Sequence, residues 1–185
     1  MYGMRFVRMH VNAKKIALAG LLTAFSAVML ILSSMIETNS LFSICVASFC
    51  VGIAIREWGI RLGFAFLVAS TGINVLVAPN KFYCITFAAM GMYLFLSEYL
   101  WEKIAANQNM KYRTLTLWIG KYVVFNLIYI PALLFFRELL FVKKVEGILL
   151  IVFFLIGQIA LFVYDKAYAY FQSVIWGKFR VRLLK

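Results

Sequence analysis

Glu98, Lys121 and Asp165 are the residues whose placement could do chemistry, because each ends or interrupts a long apolar run. Lys121 lies six residues inside such a run, about 9 Å along a helix. Glu98 closes the run before it and Asp165 the run after it. If successive runs alternate in direction, the three share one depth. A Glu98–Lys121–Asp165 cluster then neutralises a lysine that would be costly to bury alone in apolar surroundings. The cluster reads as a structural ion pair, as a lysine whose stem reaches outward to wetter ground, as a site for an anionic head group, or as a gating lock.

Asn126 and Gln158 form a second polar set, each near the middle of an apolar run, with Tyr122 and Tyr129 in the same region. Two such amides seek each other as interhelical glue. Amides and tyrosines around an apolar pocket equally suit a small, flat, weakly charged ligand. Asn39, Asn74, Asn80, Lys81 and Tyr83 fall where the runs end and could line an entrance, although Asn80 after Pro79 is also ordinary turn chemistry.

Catalysis finds little support. The chain has one histidine, His10, and no Ser-His-Asp set, HExxH or phosphate loop. No two carboxylates stand close within one apolar run. Cys45, Cys50 and Cys84 lack metal-ligand spacing and read as small buried thiols, so neither a metal nor a cofactor is expected.

The elements that must position these groups are helices built for a bilayer. The chain has 185 residues, 65% of them hydrophobic, and a mean hydropathy of +0.93, above the range of about 45–50% apolar typical of soluble domains. Residues 16–36 carry no charge and no proline, and 21 residues at the helical rise make about 31 Å, the thickness of a hydrocarbon core. The pattern repeats, which predicts an all-α polytopic membrane protein of one domain. Its six transmembrane helices fall at about 16–36, 41–55, 62–78, 82–97, 115–136 and 147–164, with Pro131 as a kink in the fifth. The polar stretch after residue 97 begins by continuing its helix.

Charge sets the orientation. With the N-terminus inside, the inner segments hold 14 Lys and Arg and the outer turns hold four, which predicts both termini inside. The net charge of +12 then belongs to loops and tails that meet anionic lipid, with no need of a nucleic acid partner. In the tail, 165–185, an apolar stripe of Tyr164, Tyr168, Phe171, Ile175 and Phe179 predicts a helix lying in the interface plane or extending the sixth span. A helix that docks a cytoplasmic partner is the alternative.

Small residues recur four apart in the first span, Gly20 with Ala24 and Thr23 with Ala27. They let helix backbones approach closely, either within the chain or against a membrane partner. A basic N-terminus, a small-residue first span after Lys14-Lys15, six short spans and a length near 185 resemble the S components of energy-coupling-factor vitamin transporters. The strings ETNSLF, PNK, KYVVFN and YDKA resemble those of a group of small membrane proteins from Gram-positive bacteria.

The S-component resemblance implies a docking face at Gly20, Ala24 and Ala27, in GxxxA rather than AxxxA form. It places a small micronutrient near the outer half, among spans four to six and the outer loops, and the residues of this chain that are candidates for contact with it are Asn80, Lys81, Asn126, Tyr129 and Gln158. It also implies a bacterial plasma membrane, a coupling membrane subunit and cytoplasmic ATPases as the energy source, since this chain has no nucleotide motif. The rival expectation is a non-transporting scaffold or assembly subunit on a similar six-helix fold.

Overall fold

The computed structural model describes residues 13–106, 112–135 and 147–179. Within them the chain runs α1 (Ala13–Met35), a 3-10 turn at Glu37–Asn39, α2 (Ser40–Trp58), α3 (Ile60–Val77), α4 (Lys81–Ala106), α5 (Arg113–Phe135) and α6 (Gly147–Tyr170). The last continues into a π-helical turn at Phe171–Trp176. All six helices are long and apolar enough to cross a membrane. The basic arm before residue 13, the loop at 136–146 and the last six residues lie outside the described residues.

α2 is the centre. Every residue from Ala47 to Ile55 is buried, which a helix achieves only with neighbours on all sides. α1, α3 and α4 pack on it and on one another, and α5 packs on α4. Small residues make this approach possible. A Cβ at Gly63 would collide with Ile55, and one at Gly91 with Leu67. The outward surface is apolar, with Leu76 84%, Met35 76% and Leu127 72% exposed. Such a surface suits contact with acyl chains rather than water.

The helix ends explain where sequence reasoning misplaced a residue. The turn expected at residues 56–61 shrinks to one, Gly59, with φ 84° and ψ 169°. A side chain there is strained, so glycine reverses the chain in a single step. Its N–H donates to the Ile55 carbonyl at 2.8 Å and its carbonyl accepts from Gly63 N–H at 2.9 Å. α2 therefore runs on through Arg56 and Glu57, which brings Arg56 within reach of Glu98 on α4 and Glu57 within reach of the last helix.

The last helix also departs from its expected stripe. Tyr168, Gln172 and Trp176 are buried, whereas Ile175 and Phe179 are exposed. A period of 3.6 does not carry through a π-helical turn, which takes more residues per turn and shifts the inward face by about one position. Trp176 Nε1 donates to Glu57 Oε1 at 2.9 Å. The tail thus takes the second of its expected forms, a continuation of the sixth helix, and meets α2 through Tyr168 and Trp176.

Candidate functional site

Four helices converge on a polar lattice near the end of the bundle where α2, α4 and α6 finish and α5 begins, its carboxylates buried and its cations part-exposed. α4 supplies Glu98, which takes two N–H groups of Arg56 on Oε1, Nε at 2.8 Å and an Nη at 2.7 Å. The Tyr168 hydroxyl donates to the same oxygen at 2.7 Å. The Arg56 guanidinium also lies 5.3 Å from the centre of the Tyr168 ring. Such approach of α6 to α2 requires Gly52, because a Cβ there would enter the Tyr168 ring.

One turn back along α6, Asp165 pairs with Lys121 of α5 at 2.5 Å, and its Oδ1 also accepts from the Tyr93 hydroxyl of α4 at 3.3 Å. Tyr164 and Ser48 join their hydroxyls at 2.7 Å. Phe49 holds the aromatic centre, with Tyr164, Tyr168 and Phe171 ring centroids 5.2–5.6 Å away. Ser97 Oγ and both polar atoms of the Gln172 amide are buried without a hydrogen-bond partner among the described residues.

The three charged residues singled out from sequence thus divide. Lys121 and Asp165 meet, whereas Glu98 pairs with Arg56 in place of Lys121. The reason is that Arg56 continues α2 instead of leaving it in a turn. Arg56, Tyr93 and Tyr168 were missed. The usable signal was that Arg56 and Glu98 end two successive same-direction runs, so they share a depth as Lys121 and Asp165 do. The lattice holds two cations against two carboxylates and is neutral, which suits a brace between helices better than a catalytic centre. No group of three His, Cys, Asp or Glu among the described residues could hold a metal ion.

The mid-span amides do meet. Gln158 Nε2 donates to Asn126 Oδ1 at 2.9 Å and Asn126 Nδ2 to Gln158 Oε1 at 3.3 Å, with Asn126 Nδ2 also reaching the Tyr122 carbonyl at 2.9 Å. Tyr129 donates to the Phe153 carbonyl at 2.9 Å and stacks on Phe125. Asn80 and Lys81 serve the α3–α4 turn. Asn80 Oδ1 accepts from Phe82 N–H at 3.0 Å, and Lys81 donates to the Val75 and Ala78 carbonyls. Among the described residues no hydrogen bond joins these two to the amide pair.

Asn74 is not at an entrance. It is fully buried and donates to Ser26 of α1 at 3.3 Å. Cys84 donates from Sγ to the Asn74 carbonyl at 3.3 Å, and the three cysteines are free. On α1, Gly20 and Ala24 face outward and Ala27 is half-buried. Among the described residues, no atom of another element comes within 4 Å of where a Gly20 Cβ would stand. Comparison with protein-family models, curated proteins and solved structures finds no match for this chain.

Proposed function

We propose that this chain is the membrane-embedded binding component of a small-molecule uptake system in a bacterial plasma membrane, inserted with both termini inside and energised by separate ATPase partners. The observation that carries the reading is the uncovered small-residue face of α1. Gly20 and Ala24 stay outward with flanking apolar side chains, the form a helix takes when another backbone is to approach it in lipid. Six apolar spans and the charge asymmetry of their connections support insertion in this orientation. Asn126 and Gln158 at mid-span are the groups a polar cargo would engage, by exchanging their mutual hydrogen bonds for bonds to it.

A second reading is a scaffold or assembly subunit without cargo. It is favoured by the same amides, which already satisfy each other, and by Asn80 and Lys81, which are spent on their turn. Purification from the native membrane in mild detergent, with mass spectrometry of what accompanies the chain, separates the two. Recovery of a coupling membrane subunit with ATPases, lost when Gly20 and Ala24 are both replaced by Leu, is the result expected for uptake. Recovery of envelope-assembly proteins alone supports the scaffold. If Asn126→Ala and Gln158→Leu leave binding of a co-purified small molecule unchanged, the mid-span cargo site is wrong.

A further inference from the structure

α5 is the least buried of the six apolar helices, and one side of it is an open groove of about 830 Å³. Every residue that lines it belongs to α5, from Trp118 through Tyr122, Val123, Asn126 and Leu127 to Pro131. From Trp118 to Pro131 it runs about 20 Å at the helical rise. That exceeds one leaflet, which is half of a hydrocarbon core about 30 Å thick. Its walls are almost wholly apolar.

The Trp118 end of the groove carries positive charge. Lys121 Nζ lies 5.6 Å from the Trp118 ring centre, and Lys166 Nζ lies 5.7 Å from it and 5.6 Å from that of Phe162. The Trp118 and Phe162 rings stack at 5.5 Å. Lys121 is already neutralised by Asp165. Lys166 is exposed and makes no salt bridge among the described residues, so the local excess of one positive charge is its own. The ring pair lies under its ammonium, which stays at the surface.

We propose that this groove is a binding site for one anionic phospholipid of the leaflet at the Lys166 end. Its phosphate sits on Lys166 beside Trp118, and one acyl chain lies along α5. The occupant follows from complementarity at both ends: a cation that pairs with no acid among the described residues at the mouth, and an apolar helix face at least one acyl chain long behind it. A zwitterionic lipid matches the apolar face equally well but brings its own cation to the mouth, so the site discriminates by head group.

The test uses the full chain in vesicles of phosphatidylcholine with one fifth phosphatidylglycerol. The protein is extracted gently and its retained lipid read by native mass spectrometry. The expected result is about one phosphatidylglycerol per chain, enriched over its share of the membrane. Lys166→Gln should retain about fivefold less, the factor that about 1 kcal/mol per basic residue near an anionic surface represents. Lys166→Arg and Lys178→Gln should retain it as the parent does. Val123→Trp should reduce retention by filling the groove, with every charge intact. Retention of the two lipids in proportion to their abundance overturns the proposal. So does an equal loss from Lys166→Gln and Lys178→Gln, which would mean diffuse attraction to a basic surface. Because Lys166 and Val123 are exposed, the folded state of each variant is checked by its unchanged elution before lipid is read.

Discussion

Lys121 Nζ stands 2.5 Å from Asp165 Oδ1, with the lysine side chain 21% exposed and the aspartate 7%. The pair therefore joins α5 to α6 from unequal depths. Lys121 has an outlet toward the surface and a ring beside it in Trp118, whereas the partners of Asp165 among the described residues are Lys121 and Tyr93. Removing the lysine strands a buried carboxylate. Removing the aspartate strands a lysine that can turn outward.

This asymmetry makes a prediction about stability. Lys121→Met should cost more than Asp165→Leu, about 3 kcal/mol against about 1–2, because only the first leaves a charge with nowhere to go. The double variant should recover most of the loss, since an apolar pair of similar volume can replace a buried ion pair. The measurement is the temperature at which the detergent-solubilised protein loses its monodisperse elution peak. A double variant as weak as the sum of the singles would contradict it.

How far the sequence leads is visible in the same residues. The pairing of Lys121 with Asp165 and of Asn126 with Gln158 could be anticipated, because in apolar surroundings a polar group has few alternatives and depth follows from counting residues. The partner of Glu98 could not. It depended on whether α2 stops at Ile55 or at Trp58, and that was decided by one glycine able to hold φ 84°. The inward face of the last helix was missed for a related reason. Periodicity extrapolates a regular helix, and the π-helical turn at Phe171–Trp176 is set by how Gln172 and Trp176 pack on the bundle. The outer asparagines show the same limit: Asn74 and Asn80 are equally polar on paper, and only packing sends one into the core and the other to a turn.

Arg56 and Tyr168 supply the next test, because both bind one oxygen of Glu98. Arg56→Lys keeps the charge but loses the second N–H and the guanidinium's place over the tyrosine ring, and should cost about 1–2 kcal/mol. Tyr168→Phe loses one hydrogen bond to a charged acceptor and should cost about 1.5–3 kcal/mol. The two share Glu98, so their effects should not add. The elution-temperature assay on the singles and the double reads this directly, and strict additivity would show that Glu98 does not couple them.

Glycines give a control that needs no polar group. Gly52 faces the Tyr168 ring at a distance a Cβ cannot occupy, whereas Gly72 on the outward face of α3 has nothing within 4 Å of its Cβ position. Gly52→Ala should push α6 away from α2 and destabilise by about 1–3 kcal/mol through overpacking. Gly72→Ala fills open space in a helix interior and should be stabilising by about 0.5–1 kcal/mol. Equal effects at both positions would mean that α6 does not pack on α2 as described.

The amide pair admits the most direct measurement of all. Asn126 and Gln158 exchange two hydrogen bonds across α5 and α6, and Asn126 has a further bond to the Tyr122 carbonyl that Gln158 lacks. A double-mutant cycle of Asn126→Leu and Gln158→Leu should give a coupling of about 0.6–1.7 kcal/mol, the range for interhelical hydrogen bonds in lipid. Gln158→Leu should be the costlier single change, because Asn126 loses its partner while its Nδ2 stays committed to the helix backbone, leaving Oδ1 unmet. Asn126→Leu leaves Gln158 with a longer, freer side chain that can seek another partner. A coupling near zero would mean that the amides do not hold each other, and would return them to the pool of groups able to bind a cargo.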